Sequence, residues 1–236
     1  MYVLIVVVGL LIGIASIYLG SNIVDRKNVF KGLRCIACND KIFNKNLVCD
    51  CGKNNFLFYL STLFASVILT VLLYVQVGFS LESIIGLVFI ILIISISVSD
   101  MLERIVPDEL IVFFIILIGV LRLFIPTQIW YDAYIGMLVG FGFFYTIGTV
   151  GEKLYKQEVL GGGDVKLYAI IGLVLGARDT LLSVFFASLI GLIYGLIISK
   201  NKNTSNYLPF VPFITIGVFI VYFFGDSIVD LYIILF

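Results

Sequence analysis

Two aspartates in this chain stand where a carboxylate is expensive. Asp100 ends one long apolar run, in Ser99-Asp100-Met101-Leu102-Glu103-Arg104-Ile105-Val106-Pro107-Asp108. Asp164 begins another, in Gly161-Gly162-Gly163-Asp164-Val165-Lys166. An ionisable group at the edge of a membrane-length apolar segment is a functional candidate for that reason. Two carboxylates a few ångströms apart share a proton and titrate as a unit. The ionised member can draw a proton from water while the protonated one polarises a peptide carbonyl, so a peptide bond is hydrolysed without metal or imidazole. The chain holds no histidine. That removes Ser–His proteases, Ser–His–Asp hydrolases and His-liganded zinc proteases from consideration. A Ser–Lys dyad built on Lys166 has no serine in a partner motif.

The elements that must position these acids are membrane helices. Of 236 residues, 61% are hydrophobic and 13% charged, with formal net charge zero and mean hydropathy +1.18. Near-chargeless runs of about 17–25 residues recur, the length that crosses a bilayer as a helix. The expected fold is all-α: a polytopic bundle of about eight transmembrane helices with a small Cys-bearing loop. The spans read as Met1–Leu19, Phe56–Val77, Leu81–Ser99, Asp108–Ile125, Tyr131–Val150, Asp164–Gly176, Thr180–Ser199 and Tyr207–Phe224. A last apolar stretch, Ser227–Phe236, is too short to span and is expected at the interface or against the bundle. The first run lacks a basic leader and a small-residue cleavage site, so it reads as a retained helix. The corresponding division is 1–19 (first helix), 20–55 (polar segment) and 56–236 (helical core).

Alternating eight spans sorts the loops onto two sides. All the basic residues except Arg122 and Arg178 then fall on one of them, which the positive-inside rule makes cytoplasmic. The N-terminus is expected outside, and Asp100 and Asp164 both on the cytoplasmic face at similar depth. Helix polarity separates their roles: the positive pole at a helix start favours an anion at Asp164, and the negative pole at a helix end favours an acid at Asp100. Gly161, Gly162 and Gly163 allow positive φ and an extended edge that pairs with a peptide strand. The plainer alternative makes Asp164 a helix cap and Asp108 and Glu109 first-turn acids behind Pro107. The spacings Gly136-x3-Gly140, Gly172-x3-Gly176 and Gly191-x3-Gly195 read as ordinary packing glycines.

At these residues the chain resembles the type IV prepilin peptidases, GxGD-type membrane aspartyl proteases. The resemblance rests on an aspartate ahead of Val-Pro-Asp (Asp100 to Asp108), followed by Gly-x-Gly-Asp-x-Lys-Leu at Gly161–Leu167. It implies catalytic roles for Asp100 and Asp164, with Gly161, Gly162, Gly163, Lys166 and Asp108 supporting. It further implies a plasma-membrane enzyme that removes basic leader peptides from prepilin or pseudopilin substrates on the cytoplasmic side. Its partners are then those substrates and the lipid bilayer, with no nucleic acid.

Cys35-x2-Cys38 and Cys49-x-Cys51 fall in the first cytoplasmic segment, where disulfides are disfavoured. Four thiolates there suit a structural zinc that staples a segment too small for its own core. The family usually shows Cys-x2-Cys twice, and the second pair here is tightened. Resemblance also implies methylation of the new N-terminus with S-adenosylmethionine. Of the Asn-x4-Arg-Leu-Pro pattern usual after helix one, Asn22 and Arg26 remain with three residues between them, and Leu-Pro does not follow. A presenilin- or signal-peptide-peptidase-like protease would pair Tyr131-Asp132 with the Gly-x-Gly-Asp, but Asp132 falls on the external side. An ion-coupled transporter would carry charges near the bilayer midplane, where these helices are almost bare.

Overall fold

The computed structural model describes residues 2–22, 35, 55–125, 131–156, 160–199 and 210–235. Among them every regular element is helical: α1 (Tyr2–Asn22), α2 (Phe56–Val77), α3 (Leu81–Glu103), α4 (Asp108–Phe124), α5 (Asp132–Tyr155), α6 (Gly162–Leu175), α7 (Ala177–Ser199) and α8 (Val211–Leu235). Six of the eight, all but α4 and α6, are long and apolar enough to cross a membrane. The protein is a polytopic helical membrane protein.

Several boundaries differ from expectation for identifiable reasons. The stretch from Ser227 is not a separate interfacial segment; it continues α8 to Leu235. Gly225 alone costs only about 1 kcal/mol in a helix, and no proline follows to stop it. Helix α5 likewise runs through Gly151 to Tyr155, because Glu152, Lys153 and Leu154 are good helix formers. Helix α3 extends one turn beyond Ser99, to Glu103.

The described residues form two compact units, Met1–Leu110 and Ile111–Phe236. In the first, α1 packs against both α2 and α3 through glycines. A Cβ on Gly13 would lie 2.4 Å from Ser66 Oγ, and one on Gly20 would lie 2.4 Å from the Ser95 carbonyl oxygen. That closeness lets Ser66 Oγ donate across the interface to the Gly9 carbonyl at 2.9 Å. Helix α3 is the most buried of the six long helices, with Phe89, Ile90, Leu92, Ile93 and Ile96 fully enclosed.

In the second unit α5 and α6 interlock. A Cβ on Gly172 would lie 2.0 Å from the Gly136 carbonyl oxygen, and one on Gly140 would lie 2.2 Å from that of Tyr168. The two small-residue spacings are therefore one backbone-to-backbone contact. Gly217 of α8 meets the Ala187 backbone of α7 in the same manner. Nothing among the described residues lies within 4 Å of a Cβ on Gly195, so its spacing with Gly191 does not mark another such contact among them. Helix α6 buries an unbroken run from Leu167 to Val174.

Candidate active site

Asp100 lies in the last turn of α3 and is 6% exposed. Its backbone carbonyl accepts the Arg104 N–H at 2.9 Å. Arg104 closes the helix in the left-handed region, with φ 57° and ψ 35°, an arrangement usually left to glycine. The neighbouring Ser99, fully buried, reaches past the helix end and donates from Oγ to the Ile105 carbonyl at 2.8 Å. The chain then passes through buried Pro107 into α4, leaving Asp108 and Glu109 exposed in its first turn. That position is the one the plainer reading gave both acids.

Asp164 lies in the first turn of α6, half-buried. The helix begins two residues earlier than expected: Gly161 is the cap residue in an extended conformation (φ −66°, ψ 131°), and Gly162 and Gly163 are already helical. Asp164 is thus not the cap. Its N–H donates to the Gly161 carbonyl at 3.0 Å. Its carboxylate folds back, so that a Cβ on Gly161 would lie 3.5 Å from Oδ2. This keeps the side chain at the N-terminal pole of α6. None of Gly161, Gly162 and Gly163 adopts the positive φ that glycine allows. Extended backbone survives at Gly161 alone. Lys166 is exposed on the same turn.

The opposite end of α6 is tied down by side chains to which sequence reasoning gave no such role. Arg122 of α4, 2% exposed, donates from Nη2 to the Val174 carbonyl at 2.7 Å and from Nε to that of Leu173 at 3.3 Å. These are among the last carbonyls of the helix, which have no intrahelical donor. A lone arginine in an otherwise apolar helix was the available signal, since a buried charge must find partners. Gly176 closes α6 with φ 82° and bonds back to Gly172. The Asp132 carboxylate packs on that closing turn: a Cβ on Gly176 would lie 2.0 Å from its Oδ2. Asp132 is therefore at the far end of α6 from Asp164, roughly 18 Å away at 1.5 Å per residue.

Of the four cysteines, Cys35 is described and fully buried; Cys38, Cys49 and Cys51 lie outside the described residues, as does Arg26. Among the described residues no group of three or more His, Cys, Asp or Glu side chains could hold a metal ion. Asn22, the final residue of α1, is buried, its amide donating to the Tyr18 carbonyl at 2.9 Å.

Comparison with known proteins returns one family throughout. A model described as the type IV leader peptidase family matches residues 87–196, a stretch that holds both Asp100 and Asp164. A Bacillus subtilis protein named prepilin leader peptidase/N-methyltransferase is 32% identical over 194 residues, covering 81% of this chain and 76% of that protein. Proteins of the same name from Xanthomonas campestris (28% identical, 66% of this chain and 55% of the other) and Aeromonas salmonicida (29% identical, 59% and 48%) also match. The chain thus spans about half the length of the latter two. No solved structure matches.

Proposed function

The chain belongs to the type IV leader peptidase family, and on that footing we propose that it is a membrane aspartic endopeptidase removing leader peptides from prepilin-like substrates. Asp164 is the base that takes a proton from water, and Asp100 is the acid that hydrogen-bonds the scissile carbonyl. As water attacks, its oxygen bonds to the carbonyl carbon and Asp164 takes its proton. Asp100 gives its own proton to the developing oxyanion. The tetrahedral intermediate then collapses with loss of the amine, which leaves carrying the proton from Asp164, and Asp100 regains its own. The observation carrying this reading is that both acids fall inside the family match while occupying opposite helix poles. The dipole at each pole favours the protonation state that each role requires.

The presenilin-like alternative loses ground, because Asp132 sits at the wrong end of α6 to join Asp164. The proposed orientation puts the N-terminus outside and both acids on the cytoplasmic face, with α4 and α6 completing eight passes despite their shorter length. It rests on the distribution of lysine and arginine.

Two ligand proposals accompany the reaction. Cys35, Cys38, Cys49 and Cys51 form a donor set of the type that binds structural zinc, and the burial of Cys35 suits a thiolate withdrawn from solvent. Metal content of purified protein, with and without Cys35→Ser, tests it. The relatives' names also carry N-methyltransferase. S-adenosylmethionine would supply the methyl group here, and no described residue is assigned to it.

Co-expression of a leader-bearing pilin with wild type, Asp100→Ala and Asp164→Ala tests the peptidase. Processing by the wild type alone is expected. Full processing by either variant overturns the assignment. Mass spectrometry of the mature N-terminus reports an added methyl group in the same samples.

A further inference from the structure

The residues around Asp100 assemble a latch that neither composition nor motif accounts for. We infer that Ser99 is a positioning residue for Asp100, acting with the left-handed turn at Arg104 to fix where α3 ends. The inference rests on the proposed role of Asp100.

Three observations carry it. Arg104 holds φ 57° without being glycine, as Lys156 does at the end of α5, a conformation uncommon for a side chain with a Cβ. Two hydrogen bonds hold that turn: Arg104 N–H to the carbonyl of Asp100, the helix-end bond that Lys156 also makes to Glu152, and Ser99 Oγ to the Ile105 carbonyl. The turn is thus clamped from both sides of Arg104 by residues 99 and 100. Finally, Ser99 is fully buried while Ile105 is half exposed, so the bond pulls a surface strand of loop onto the helix end. Ser99 needs no such bond for its own satisfaction. A serine inside a helix commonly bonds back to a carbonyl three or four residues earlier, as Ser95 does to Ile91 at 2.6 Å. Ser99 forgoes that route and reaches forward instead.

The consequence falls on Asp100 because its backbone is part of the clamp. With the Ile105 anchor gone, the last turn is free to fray, and the carboxylate samples positions displaced from the reacting carbonyl. Displacements of about 1 Å at a catalytic group are enough to lower turnover without weakening substrate binding.

The test measures kcat and KM per folded enzyme on a leader-bearing pilin, with thermal unfolding alongside. Ser99→Ala is expected to lower kcat about tenfold, with KM within about twofold, and Ser99→Thr, which keeps the hydroxyl, to restore most of it. Arg104→Gly adopts the left-handed turn freely and should keep kcat within about twofold of wild type. Arg104→Val resists that turn and should fall as Ser99→Ala does. Wild-type kcat for Ser99→Ala overturns the inference. So does equal damage from Arg104→Gly and Arg104→Val, which would assign the effect to the arginine side chain. A loss confined to unfolding temperature, with kcat per folded enzyme intact, reduces Ser99 to a structural role. Activity retained by Asp100→Ala would instead defeat the parent proposal, so the two failures are distinguishable.

Discussion

Helices α3 and α6 each hold one candidate carboxylate, and they hold it by different means. Helix α3 is 23 residues long, the most buried of the long helices, and closes on its own turn at Arg104. The turn that carries its aspartate is tied by two hydrogen bonds within one short stretch, 99–105. Helix α6 has 14 residues, about 21 Å at 1.5 Å each, against a hydrocarbon core of about 30 Å. It cannot fix its own position in a bilayer. Arg122 holds its last carbonyls, Asp132 packs on its closing turn, and α5 presses on it backbone to backbone. The lesson is that the far end of α6 is held by residues distant in sequence, whereas the turn that ends α3 is also tied by its sequence neighbours.

Mutations should expose that difference in graded form. The largest structural effect is expected at Gly172→Ala, where the new Cβ would meet the Gly136 carbonyl and neither backbone can yield cheaply. A loss of about 1–3 kcal/mol in thermal or denaturant unfolding is expected, with Gly142→Ala as the control because a Cβ there meets nothing within 4 Å among the described residues. Equal tolerance of the two would break the claim that α6 is held by α5. Next comes Arg122→Met, which leaves the Leu173 and Val174 carbonyls without their charged donor. About 2 kcal/mol should be lost. Slowed cleavage at unchanged KM would then sharpen the comparison, by showing that the far end of α6 sets the place of Asp164.

A smaller effect is expected in the first unit. Ser66→Ala removes one neutral bond to the Gly9 carbonyl and should cost about 1 kcal/mol. Smallest is Tyr168→Phe. The Tyr168 hydroxyl is buried beside Ser183 but makes no hydrogen bond of good geometry among the described residues, and its ring stacks on Phe144 at 3.9 Å between centroids. Removing the oxygen keeps the stack and should change stability by less than about 0.5 kcal/mol, or raise it. A loss above 1 kcal/mol would mean that the hydroxyl has a partner after all.

The contrast between the helices also explains what the sequence disclosed. Membrane character, the limits of α2 and the start of α3 follow from apolar run length, and the structure keeps them. The end of α3 was missed by one turn, because Met101-Leu102-Glu103 is as helical as what precedes it and only Arg104 breaks the run. The start of α6 was missed because three glycines read as loop, although the first turn of a helix tolerates them. Glycine spacing named the positions of the α5–α6 contact but not the pairing, which depends on helices far apart in sequence. Arg122 appeared only as a stray basic residue on the external side. Its carbonyl partners, 51 and 52 residues away, have no sequence signature. The places of the two acids at helix ends were legible, and the groups that hold α6 were not.

The most direct test of a shared site is single-turnover cleavage of a leader-bearing pilin by Asp100→Asn, Asp164→Asn and the double variant. Two carboxylates working on one peptide bond act as a unit, so either single change should reduce cleavage to background and the double should be no slower than the singles. Independent losses that multiply in the double variant, or appreciable cleavage by either single, would contradict it.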